Sequence, residues 1–291
     1  IPGSSQLFRR CLLTTYWKIF NRMNSAISSS GIRWKGAWYF AEHRIRVMSK
    51  WKLIIGMIDF ANPLFYLIAV GVGIGVLVTE NSGTTGTGGV AYLTFLAPAL
   101  VASAAISAAI DETMFPTLEG FKWRKTFYGA NSAPLTGNQI AAGVFIAAMA
   151  RVFFSVTLYW LVLVIFNVLK FSSLPVIFTA ALGGAAFGAA LMGFVGKVHN
   201  DDLFMSAFSR MVVTPLFLFS GTFFPLSSMP TYFQPIGWIS PLWHATELGR
   251  HFSYGYPVSP LMLLIHFGYL TIMLSLGLTF AQKIFTERLA R

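Results

Sequence analysis

The chain has 291 residues, of which 55% are apolar and 16% aromatic, while Asp, Glu, Lys and Arg together supply 11%. Soluble domains carry about 25% charged residues, so with a mean hydropathy of +0.65 the composition excludes a soluble globular protein and predicts a polytopic membrane protein. The 21 Lys and Arg against 10 Asp and Glu give a net charge of +11, and the single cysteine, Cys11, excludes an internal disulfide framework and a Cys-rich zinc site.

In chain order, residues 1–32 mix basic and apolar residues without the clean apolar core of a cleavable signal peptide, and are read as a cytoplasmic extension with no assigned role. Over residues 33–52, Trp34, Trp38, Ala41, Ile45 and Met48 recur at spacings of four and three, while Lys35, His43, Arg46 and Lys50 lie elsewhere around the helix. That pattern predicts a basic amphipathic helix lying in the membrane interface. It serves either as a plain anchor or as a transmitter of motion to the first span.

Six stretches then approach the about 20 apolar residues that cross a bilayer core of about 30 Å. They cover residues 53–78, 90–110, 140–169, 174–196, 203–224 and 260–281, with a short tail at 282–291. The fifth is the weakest, because Arg210 sits in its first third. Eighteen Lys and Arg fall in or beside the N-terminal segment, the loops after spans two and four, and the tail; Lys170 and Arg250 lie opposite, and Arg151 lies inside span three. Basic excess marks the cytoplasmic side, so both termini are predicted cytoplasmic in a multi-pass protein of the inner membrane. The positive charge is then a membrane-facing rim rather than a nucleic-acid groove.

Between spans two and three, residues 115–138 mix Phe121, Trp123, Phe127 and Tyr128 with Glu119, Lys122, Arg124 and Lys125, punctuated by Gly120, Gly129 and Pro134. The segment is too long for a simple turn and has the aromatic-plus-arginine composition of interface hot spots. It reads either as an anchor at the lipid surface or as a docking element with a short helix between bends. Span four carries Gly184 and Gly188 as GxxxG, continued by Ala189 and Gly193, which predicts close helix packing. Ahead of the last span, Pro225, Pro230, Pro235 and Pro241 forbid one continuous helix. The apolar segment 225–256 is therefore predicted as a re-entrant helical hairpin, the other reading being an outer loop resting on lipid.

No phosphate-binding loop, HExxH or GxSxG is present; the stretch at 83–89 has glycines but no lysine. His199, Asp201 and Asp202 read as a polar loop, not a metal site. Asp59, Asp111, Glu112, Arg151 and His266 fall inside or at the ends of spans. The acids cluster near the cytoplasmic ends, which favours pairing of Arg151 with one of them over a proton relay.

Three stretches carry a resemblance: NPLFYLIAVGVGIG at 62–75, FKWRKTFYGANSAPLT at 121–136, and 217–250, which contains SGTFFP and a Pro-Leu-x-His step at Pro241 to His244. From about residue 35 onward the chain resembles the permease subunits of type-2 ABC exporters, such as daunorubicin-type drug exporters and nodulation-factor exporters. The resemblance implies a permease paired with a second permease chain and two ABC ATPase chains, which bind the ATP and Mg. No cofactor belongs to this chain, and the chain is not itself an enzyme. It further implies that Glu119, Phe121, Lys122, Trp123, Arg124, Lys125 and Tyr128 couple to the ATPase, with Trp34, Trp38 and Arg46 as a second contact. Phe223, Phe224, Pro225, Trp238, Trp243 and His244 would form the outer gate and substrate path, and Asp59 and Arg151 the polar intramembrane pair. An apolar, aromatic path suits a hydrophobic or amphipathic cargo: a drug, a glycolipid or a lipid-linked glycan. The alternative is a proton-driven secondary transporter that works without an ATPase.

Overall fold

The computed structural model describes residues 29–69, 89–198 and 207–290, with side chains from residue 35 onward. Most of the N-terminal extension, the far end of the first expected span, His199, Asp201 and Asp202 lie outside the described residues, as does the side chain of Trp34. The elements are helical throughout: α1 Ser29–Ser49, α2 Lys52–Ile68, α3 Tyr92–Leu118, α4 Thr126–Ser132, α5 Gly137–Ile165, α6 Pro175–Lys197, α7 Thr214–Phe219, α8 Gln234–Ile239, α9 Pro241–Tyr254 and α10 Pro260–Leu289.

Among the described residues four helices are long and apolar enough to cross a membrane, or five if α1 and α2, bent by 75° at their junction, make one span. The four begin at Tyr92, Gly137, Phe171 and Pro260, as the apolar runs predict. The fifth expected span begins outside the described residues. Its described part is a π turn at Ser209–Val213 followed by the six-residue α7, and the chain breaks at Ser220, whose hydroxyl turns back to the Leu216 carbonyl. The expected tail differs, because α10 runs unbroken to Leu289 and buries Phe285 and Leu289. At 1.5 Å per residue a 30-residue helix is about 45 Å long, well beyond a hydrocarbon core of about 30 Å.

Helix α6 is the centre of the bundle, packed on α3, α9 and α10. Its small residues permit this. A Cβ on Gly184 would stand 2.8 Å from the Ala105 carbonyl oxygen, so only glycine lets α3 and α6 meet backbone to backbone. A second, smaller core of Phe121, Phe127, Ile140, Met192 and Phe285 lies at one end of the bundle. That end carries the segment 119–135, the start of α5 and the end of α10.

Candidate functional site

Pro116, inside α3, has no N–H to offer its helix, and just beyond it the helix widens into a π turn at Glu119–Trp123 closed by the Arg124 N–H on the Glu119 carbonyl. Lys125 then takes a left-handed conformation, φ 53°, which turns the chain into α4. This corner is pinned from beneath. Phe121 packs edge-on against Phe127 at 4.9 Å and Phe285 at 4.7 Å between ring centroids. Arg288 stacks 4.4 Å above Phe121 and donates to the Gly196 and Val198 carbonyls at 2.7 and 3.0 Å.

The predicted coupling residues therefore divide into two groups. Phe121 is 3% exposed and belongs to the core, so it supports a surface rather than forming one. Lys122 is half-buried, while Trp123, Arg124, Lys125 and Tyr128 are exposed. Glu119 pairs with Arg124 at 3.1 Å. Between this corner and α1 lies a groove of about 470 Å³ whose walls include Tyr39, Arg44, Val47, Glu119, Arg124 and Leu135. Trp38 and Arg46 of α1 are exposed, Arg46 bonded to Glu42 at 2.5 Å. Arg44 of the same helix reaches inward to within 3.8 Å of Glu112. Its burial pulls the guanidinium below its usual range, opposed by the Glu112 and Glu119 carboxylates.

Arg151 of α5 grips Asp59 of α2 through both terminal nitrogens, at 2.5 and 3.0 Å. This is the bidentate form of the pair, the strongest such contact. Apart from Asp59, Pro63 is the one residue of α2 that is buried.

At the opposite end of α3 the expected gate residues gather around a second arginine. Gly221, at φ 67°, makes the turn that α7 runs into. Arg250 of α9 is 1% exposed and donates to the carbonyls of Gly221 at 2.8 Å and Thr222 at 3.4 Å, while pairing with Glu247 at 2.8 Å. The Tyr92 hydroxyl donates to the Phe223 carbonyl at 3.0 Å. Phe224 is exposed, and Phe223 and Pro225 are half-buried. Trp238 is exposed and Trp243 half-buried, but His244 is interior. Its Nδ1 lies 2.7 Å from Nδ1 of His266 and its Nε2 2.9 Å from the Trp238 carbonyl, with Tyr269 stacked on its ring. His244 thus ties α8 and α9 to α10. Sequence reasoning missed Arg250, Tyr92 and Phe285 as organising residues; a lone arginine in an apolar proline-rich stretch was the available signal for the first.

The ABC-2 type transporter family matches this chain over residues 38–254. The chain is 27% identical to Nodulation protein J of Rhizobium leguminosarum bv. viciae over 281 residues, covering 92% of this chain and 99% of that protein. It is 29% identical to Nodulation protein J of Rhizobium leguminosarum bv. trifolii over 289 residues, covering 92% and 98%. With Nodulation protein J of Rhizobium meliloti (strain 1021) the identity is 27% over 249 residues, covering 83% and 88%. No solved structure matches the chain.

Proposed function

The chain belongs to the ABC-2 type transporter family as a membrane permease of exporter type, and on that premise we propose that a separate ATPase drives it. In this reading two copies of the ATPase, holding the ATP and Mg, serve two permease chains in the inner membrane. Each permease crosses six times with both termini cytoplasmic. The observation that carries the reading is the exposed rim of Trp123, Arg124, Lys125 and Tyr128 on a buried aromatic base. A rigid, partly apolar projection with arginine is what an energy-transmitting contact requires, and the groove it shares with α1 receives the partner. The bidentate hold of Arg151 on Asp59 supports pairing rather than proton relay at that position.

The segment 225–256 acts as a re-entrant outer gate, and α2, α3 and α7 face the route. The cargo is hydrophobic or amphipathic. The test is the double substitution Trp123→Ala and Arg124→Ala in the reconstituted complex. ATPase stimulation by cargo is lost while membrane insertion and the melting temperature stay unchanged. Normal stimulation in that variant overturns the assignment.

A further inference from the structure

Of the carboxylates on and around α3 and α9, one stands outside the ion pairs formed among the described residues. Asp59 is matched by Arg151, Glu112 by Arg44, Glu119 by Arg124 and Glu247 by Arg250. Asp111 forms no hydrogen bond or ion pair among the described residues. Arg151 and Asp59 face it, but that guanidinium is already committed to the Asp59 carboxylate. Asp111 is exposed, on a helix otherwise largely buried. The same open stripe of α3, at steps of four, holds Ser107, exposed, and Ser103, half-buried. A carboxylate and two hydroxyls on one face of a membrane-crossing helix are costly against hydrocarbon and mark a functional surface.

A second observation points the same way. A cavity of about 60 Å³ opens between α2, α3 and α5, lined by Asn62, Tyr66, Ser103, Ser107, Tyr159 and Thr222. Three of its hydroxyls, on Ser103, Tyr159 and Thr222, are buried without a hydrogen-bond partner. Tyr159 is 3% and Thr222 1% exposed. Folded proteins pair nearly all such groups, and each of these hydroxyls can accept a hydrogen bond from an N–H donor placed in the cavity. Phe217 and Phe223 also border the cavity, and aromatic faces attract cations. Asp111 stands one helical turn from Ser107, about 6 Å along α3.

We propose that Asp111 and this hydroxyl-lined cavity recognise a protonated amine on an amphipathic cargo. The carboxylate takes the charge, the rings and hydroxyls flank it, and the apolar remainder lies outside along the exposed face. The proposal rests on the export reading above and narrows its cargo class.

The test uses two fluorescent probes with the same chain and fluorophore, one ending in a primary ammonium and one in a neutral amide. Binding is measured without ATP on the purified permease–ATPase complex. The wild type binds the ammonium probe about tenfold more tightly, the worth of one charge-assisted contact. Asp111→Asn removes that preference and Asp111→Glu keeps most of it. Should Asp111→Asn fail to assemble, Ser107→Lys, which sets a competing cation one turn away, must also remove it. Equal binding of the two probes by the wild type, or a preference that survives both substitutions, overturns the proposal. So does a preference that persists while Asp111→Asn separates the permease chains, which makes Asp111 an interchain contact. If the preference behaves as expected but ATP moves neither probe, the amine site stands and the export reading falls.

Discussion

The guanidinium of Arg250 lies 3.8 Å above the ring of Phe95, and the same side chain donates to the Gly221 and Thr222 carbonyls. One residue of α9 therefore holds both the start of α3 and the turn that presents Phe223 and Phe224. Removing one partner of a buried ion pair costs about 3–5 kcal/mol. Arg250→Met is expected to lose about that much, seen as a lowered melting temperature of the detergent-purified protein. Arg250→Lys keeps the charge but not the planar fork, and is expected to fall between the two.

The Asp59–Arg151 pair is the main polar tie of α2 to the bundle. Arg151→Met strands a carboxylate and is expected to destabilise by about 3 kcal/mol. The double variant Asp59→Leu with Arg151→Met leaves no uncompensated charge and is expected to recover most of that loss. A thermodynamic cycle over the four proteins measures the coupling. Additive losses would mean that the pair contributes nothing.

Glycines of α6 are expected to differ in tolerance. At Gly184 a side chain meets the Ala105 carbonyl, which cannot give way, so Gly184→Leu is expected to cost about 1–3 kcal/mol or more as α3 and α6 are wedged apart. At Gly188 the nearest atom to a new Cβ is the Ala109 methyl at 3.2 Å, so Gly188→Ala is expected to be milder. Thermal melts of the two variants, run side by side, check the order.

Phe121 and Trp123 stand two residues apart with opposite roles. Phe121→Ala opens a cavity in the aromatic base and is expected to cost about 3–5 kcal/mol, lowering both stability and coupling. Trp123→Ala is expected to leave stability within about 0.5 kcal/mol while lowering cargo-stimulated ATP hydrolysis. Equal stability losses would place both residues in the core.

The long apolar runs that became α3, α5, α6 and α10 were plain in the sequence because hydrocarbon demands about 20 apolar residues in a row. The close packing implied by Gly184 was equally legible, since no side chain fits there. The corner at 119–128 was legible as a special segment but not in its layering. Phe121 and Trp123 look alike in a string, and only the register set by the π turn sends one inward. The fifth run was legible as apolar but its break was not, because apolar composition says nothing of a turn at Ser220. The last run hid its final helical turns because Lys283 and Glu287, on the outer face, masked Phe285 and Leu289 on the inner one.

Gln139 accepts from the Thr136 N–H at 2.9 Å as part of the capping box that starts α5, and a Cβ on Gly36 of α1 would stand 2.8 Å from the same side chain. One and four residues further along α1, the backbone of Ala37 and the side chain of Phe40 close on Gly143 just as tightly. Helix α1 is therefore keyed into the first turns of α5 and has no track along which to slide. The first helix and the corner that ends at Thr136 are packed into one unit with the start of α5, so a displacement of the rim would be passed to α5 rather than absorbed between them.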